Sequence, residues 1–253
     1  MKKALIITRL AILLSVVIFT SCQNNSTGKA GMEADSTAPQ TTRPPLREKV
    51  LTAEEQQALT SDAVIEAFKE GNNRFVSNNI TARDHSAMVR NAAAAQFPKA
   101  VVISCIDSRI PVEDVFDRGI GDIFVGRVAG NFVNVDLLGS LEYGCKVSGA
   151  KLILVLGHES CGAIKACIDK VKLGNITAML TKIAPAVAES QNFNGEKTSK
   201  NDAFVELVAK NNILNTIETI KNQSPVLKEM TEQGAIKIVG AYYELKTGKV
   251  VFL

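Results

Sequence analysis

Beyond its first 21 residues the chain carries no excess charge of either sign. Its 29 Lys and Arg exceed its 26 Asp and Glu by three, and Lys2, Lys3 and Arg9 account for the whole surplus. A nucleic-acid partner would need a clustered basic excess, so that class of function finds no support. Long apolar runs are scarce too: none after residue 21 approaches the roughly 20 residues that a membrane-spanning helix needs. No internal repeat and no second domain are visible. A chain of 253 residues, 46% of them hydrophobic, suits one globular domain with a sizeable core. Histidine occurs only twice, at His85 and His158, and cysteine five times, so each must be placed individually.

Met1–Ser21, "MKKALIITRLAILLSVVIFTS", has a basic start, an apolar stretch and small residues just before Cys22. It reads as an export signal. A single anchoring helix is the alternative, but the apolar run Leu10–Phe19 is short for a span. Cys22 stands where a bacterial lipoprotein signal is cleaved and lipidated; Phe19 is a less usual residue three places before it, which leaves plain cleavage as the other outcome. The expectation is an exported protein held on a bacterial membrane through lipidated Cys22, facing the periplasm. Residues 23–46 are rich in Ser, Thr, Asn, Gly and Pro and cannot bury enough apolar surface to offset their ordering entropy. The organisation expected is a signal over 1–21, lipidated Cys22 and a tether over 22–50, and a folded domain over 51–253.

That domain opens with "TAEE", the Thr-x-x-Glu form of a helix capping box, followed by helical apolar spacing over 61–79. Ala87–Ala95 predicts another short helix. From Pro98 the pattern changes. "KAVVISC" and "KLILVLG" are nearly unbroken apolar runs, as in strands buried on both faces of a parallel sheet, and "DIFVGRV" (122–128) is a more polar third strand. Helices are expected at Val112–Phe116, Val135–Val147 and Cys161–Val171. Residues 175–232 read as helical, broken by the polar "SQNFNGEKTSKND", and the tail is a β-hairpin turning at Lys246–Gly248. The fold class is α/β: a mainly parallel sheet flanked by helices, with an N-terminal helical arm and a C-terminal hairpin.

Parallel strands deliver their C-terminal ends to one edge, where ligands collect. Cys105 ends one predicted strand and His158 another, and Cys161 follows His158 within the first turn of the next helix. Two thiols and an imidazole at one point suit tetrahedral zinc. A Cys105–Cys161 disulfide is the competing reading, as the chain is read as exported. Asp107 and Arg109 follow the first strand directly, where charge is costly unless paired, and they can pair with each other. Cys145 and Cys167 read as small buried hydrophobes. His85, in "ARDHSAM", reads as a surface or cap residue.

These residues resemble a known family. "SCIDSRIPVEDVFDRGIGDIFVGRVAGN" (104–131) with "GHESCGAIKA" (157–166) is similar to the β-class carbonic anhydrases, and the resemblance covers roughly residues 61–253. It implies one zinc ion per chain on Cys105, His158 and Cys161, with carbon dioxide and bicarbonate as substrates. Asp107 would be a fourth ligand in a closed state or, turned onto Arg109, would leave that position to water. Zinc-bound hydroxide, oriented by the Asp107–Arg109 dyad, would attack carbon dioxide. Gln96 matches a substrate-binding glutamine, and Gly162 would offer its backbone N–H to an anionic product. Tyr143 and Phe132 line the approach or serve the core. Some members gate their zinc through a bicarbonate pocket that uses a tryptophan three residues before the first cysteine. Here that residue is Val102 and the chain has no tryptophan; Arg127 matches the pocket's arginine but alone reads as structural, so the open, ungated form is expected. Homodimers or homotetramers are implied. Two rivals stand: hydrolysis of carbon disulfide or carbonyl sulfide at the same site, and a non-enzymatic, membrane-tethered zinc-binding module.

Overall fold

The computed structural model describes residues 50–253; the signal, Cys22 and the rest of residues 1–49 lie outside the described residues. Thr52 begins the helical part with the capping box its sequence predicts. The Glu55 amide donates to Thr52 Oγ1 at 3.3 Å, and the Thr52 amide donates to Glu55 Oε2 at 3.0 Å. Helices α1 (Ala53–Gln57) and α2 (Ser61–Val76) follow. Both fold back on the chain's own core. Gln56 donates Nε2 to the carbonyls of Pro98 and Ser148 at 2.7 and 2.8 Å. Asn72 donates to Val115 O at 3.1 Å and Gly248 O at 2.9 Å and accepts from the Val250 amide at 2.8 Å. One buried amide therefore ties α2 to the closing hairpin.

Helix α3 runs His85–Ala92, earlier than its apolar spacing suggests. Asp84 sets the start, because its Oδ1 accepts from the Ala87 amide at 2.9 Å and satisfies a first-turn donor.

Five strands form one sheet: β1 (Ala100–Ser104), β2 (Ile123–Arg127), β3 (Leu152–His158), β4 (Lys237–Tyr243) and β5 (Val250–Phe252). Their order is β2-β1-β3-β4-β5, parallel throughout except for β5, which pairs antiparallel with β4. Every residue of β1 and β3 is buried, as their unbroken apolar runs require, whereas β2 at the edge is half-exposed. After β1 the chain goes to β2 on one side, and β3 then lies on the other, so the ends of β1 and β3 flank a topological switch point.

The connections are α4 (Val112–Val115), α5 (Val135–Glu142), α6 (Gly162–Ile168), α7 (Gly174–Leu180), α8 (Ala184–Glu189), α9 (Asp202–Gln223) and α10 (Pro225–Glu232). Where one helix was expected over Val135–Val147, α5 passes into a π-helical turn at Tyr143–Val147. Helix α6 stops short of Val171, with Lys170 in the left-handed region at φ 55°. Helix α9 approaches β3 and β4 closely. A Cβ on Gly157 or on Gly240 would lie 2.6 Å from an Ile213 methyl, so two glycines make room for this helix. Among the described residues no helix is long and apolar enough to cross a membrane.

Candidate metal centre

β1 leads directly into Cys105, β3 ends at His158, and Cys161 sits immediately before α6. All three side chains are buried and converge, with their ligating atoms within 4.8 Å of one another. The two sulfurs lie 4.0 Å apart, about twice the roughly 2.05 Å of a disulfide bond. Cys105 and Cys161 are therefore free, as are Cys145 and Cys167. Two metal–sulfur bonds of about 2.3 Å meeting near the tetrahedral angle would span such a gap.

The histidine supports the same reading. His158 Nδ1 lies 2.8 Å from the Glu159 carbonyl. A carbonyl only accepts, so Nδ1 carries the ring proton and Nε2 keeps its lone pair. Nε2 is buried and has no hydrogen-bond partner. Leaving such an atom unsatisfied costs about 1–3 kcal/mol. A cation between the sulfurs and Nε2 would remove that cost, and this donor set suits zinc.

The hydrogen bond with Cys161 lowers the pKa of the Cys105 thiol against burial, and the amides of Gly130 and Asp107 add to the effect. The same bond, followed by burial, drives Cys161 upward, while the amides of Ile164 and Ala163 in the first turn of α6 oppose it.

Asp107 lies beside this cluster, with its carboxylate held by Arg109. Arg109 donates Nε to Oδ1 at 2.9 Å, Nη2 to Oδ2 at 2.6 Å and its amide to Oδ1 at 3.0 Å. The guanidinium hydrogen bonds hold the Asp107 carboxyl well below the usual carboxylate range, outweighing burial. Asp107 Oδ2 stands 4.0 Å from His158 Nε2. Arg127, from β2, donates Nε to Cys105 O at 2.8 Å and Nη2 to Asp107 O at 2.6 Å. It braces the backbone of the loop that carries a sulfur and the carboxylate.

The carbonic anhydrase family profile matches residues 100–250. Over 198 residues the chain is 34% identical to carbonic anhydrase 2 of Mycobacterium tuberculosis, covering 75% of this chain and 91% of that protein. The chain belongs to the carbonic anhydrase family. The carbonic anhydrase of Mycolicibacterium smegmatis is 32% identical over 195 residues, covering 74% of this chain and 91% of that protein. The fold is that of the β class. A chain from two tetrameric β-carbonic anhydrases of the ascomycete Sordaria macrospora matches with a TM-score of 0.58 at 20% identity, over 76% of this chain and 92% of its own.

In this carbonic anhydrase fold Gly162 begins α6 beside Cys161, and a Cβ there would meet open space. Gln96 does not join the cluster. It precedes β1 and lines, with Tyr143, a hollow of about 410 Å³ at the edge where the strands begin. The length of β1, five residues at about 3.3 Å each, lies between it and Cys105 of its own chain. His85 lies at the same end, exposed in a hollow of about 220 Å³ with Gly121 and Ile123 at the entry of β2. Asp84, not His85, caps α3. Phe132 is buried in a cleft against α9, whereas Tyr143 is half-exposed. Cys145 and Cys167 are core residues; burial pushes the Cys145 thiol up to about 12.

Three residues near the cluster had no role in the sequence reading: Gly130, Asn131 and Asn212. The only local signal was a Gly-Asn pair shortly after a strand. Nothing in the sequence of α9 sets Asn212 apart from its other polar residues.

Proposed function

We propose that this protein catalyses the reversible hydration of carbon dioxide to bicarbonate and a proton, with one zinc ion held by Cys105, His158 and Cys161. One observation carries the reading: the buried, unpartnered Nε2 of His158 faces two free sulfurs in a chain of the carbonic anhydrase family. Zinc, when bound, supplies a Lewis acid that makes water nucleophilic near neutral pH. Three protein ligands leave a vertex open, as catalytic rather than structural zinc sites do. Asp107, whose Oδ2 lies 4.0 Å from His158 Nε2, would accept a hydrogen bond from solvent at the loaded site and so orient an oxygen lone pair toward the substrate carbon. Arg109 keeps Asp107 ionised and turned to one side, which corresponds to the open state rather than a closed one with Asp107 as fourth ligand. Val102, in place of a tryptophan, supports an ungated site. The Gly162 amide, at the start of α6, is offered to the anionic product.

The working unit is a homodimer or homotetramer. Gln96 and Tyr143 lie together at the edge away from their own cluster, so a second copy would supply them. An apolar groove of about 620 Å³ runs beside edge strand β2, with Val135 78% exposed on its rim, and suits burial against such a copy. The Sordaria macrospora proteins are tetrameric. The export signal and Cys22 would place the enzyme on the periplasmic face of a membrane, held by lipid.

A stopped-flow hydration assay on the fragment from residue 50, before and after chelation and after zinc is restored, tests the activity. Loss and recovery with zinc is the expected result; absence of hydration at full zinc loading from neutral to alkaline pH would favour a binding module. Sulfide release from carbonyl sulfide, faster than hydration, would point to the hydrolase instead.

A further inference from the structure

Helix α9 buries a polar residue, Asn212, which is 1% exposed. A buried amide is costly unless it is bonded, and this one bonds to the loop beside the sulfurs. Asn212 Nδ2 donates to the Gly130 carbonyl at 2.8 Å. On the same residue, the Gly130 amide donates to Cys105 Sγ at 3.4 Å. The backbone of one residue thus links a helix side chain to the Cys105 sulfur.

The segment has little freedom to take another shape. Gly130 has φ 87° and Asn131 φ 42°, both in the left-handed region. At φ 87° a side chain is strained, and a Cβ on Gly130 would also lie 2.5 Å from Ile183 Cδ1, so the position favours glycine. Thr216, one turn after Asn212, sets its hydroxyl 3.3 Å from the Asn131 carbonyl. Gly157 and Gly240 let α9 come close enough for these contacts.

We infer that Asn212 is a positioning residue of the metal centre: by holding the Gly130 carbonyl it fixes the backbone on either side of the Gly130 Cα, aims the Gly130 N–H at Cys105 Sγ and so sets the sulfur's place and its electron donation to the cation. The inference rests on the Cys-His-Cys reading above. Outer-shell partners of this kind change metal affinity when removed, although they touch neither metal nor substrate.

Cobalt(II) serves as the probe, because a thiolate-to-cobalt charge-transfer band reports the sulfur directly. In the Asn212→Leu protein the band is expected at longer wavelength, and cobalt affinity in chelator competition falls by about tenfold. Gln56→Leu removes a buried amide that donates to Pro98 O and Ser148 O at the far edge of the sheet. It is the structural control: thermal stability falls and the band stays. Should the leucine variant not fold, Asn212→Ala removes the same donor with less bulk, and the same shift is expected. An unshifted band with wild-type affinity, or an equal shift in Gln56→Leu, overturns the role of Asn212. Wild-type protein that gives no thiolate band at all overturns the ligand set itself, a distinct failure.

Discussion

Replacing Asp107 by asparagine separates its chemical role from its structural one. The amide keeps the shape and can still accept from Arg109 through Oδ1, but it carries no charge and its Nδ2 can only donate. The salt bridge it removes has an Arg109 side chain 55% exposed, so solvent screens it and its loss costs less than about 1 kcal/mol of stability. The catalytic cost is larger. Loss of a positioned proton acceptor slows such reactions by about 10²–10⁴-fold, equivalent to about 3–5 kcal/mol of barrier. Asp107 is not one of the three converging ligands, so zinc content is expected to remain at the wild-type level. The expected signature is a kcat down by at least about a hundredfold at all pH values, full zinc, and a melting temperature close to wild type. Stopped-flow hydration, elemental analysis and calorimetry read the three quantities. Arg109→Ala is expected to slow the reaction too, and the double variant to be no slower than Asp107→Asn alone, since Arg109 acts through Asp107. A full rate in zinc-loaded Asp107→Asn would refute the assignment; zinc lost in step with rate would make Asp107 a ligand instead.

Cys105→Ser is expected to lower zinc content and rate together, which elemental analysis on the purified variant decides. Co-expressing it with Gln96→Ala is expected to yield hybrids with activity that neither parent shows, because a Cys105→Ser subunit still carries Gln96; hybrids with no gain would place Gln96 outside the reaction. Asp117 offers a stability test. Its fully buried carboxylate accepts from the Thr81 amide and hydroxyl at 3.0 and 2.6 Å and from Arg74 and Arg83 at 2.5 Å each. Burial alone would raise this carboxyl, but the bonds from Thr81, Arg74 and Arg83 hold it below its ordinary value. A lowered folded pKa contributes stability above the unfolded carboxylate pKa, about 4, which is lost as pH falls through the folded value. Asp117→Asn is expected to cost about 3–5 kcal/mol in urea unfolding at pH 7, since two arginines lose their buried partner, and to flatten the acid limb; a curve parallel to wild type down to low pH would refute this.

Much of the fold was legible because its signals are local. The capping box at Thr52 and the apolar runs of β1 and β3 specify themselves within a few residues, and the structure has them where they were read. The differences fall where a local pattern met a competitor. Asp84 started α3 earlier than its apolar spacing, and α5 opened into a π-helical turn over β1, where a Cβ on Gly144 would strike the Val101 side chain.

For the candidate site the division is similar. Residue type and position at the end of a strand or the start of a helix were enough to nominate Cys105, His158 and Cys161, because a parallel sheet must bring those ends to one edge. The hydrogen bond that leaves Nε2 of His158 as the free nitrogen appears only in three dimensions. So does the displacement of Gln96 to the opposite edge, and so does the link from Asn212 to a sulfur 107 positions earlier in the chain. Such contacts join residues far apart in the chain, and no short stretch of it encodes the packing of α9 on two strands that makes them.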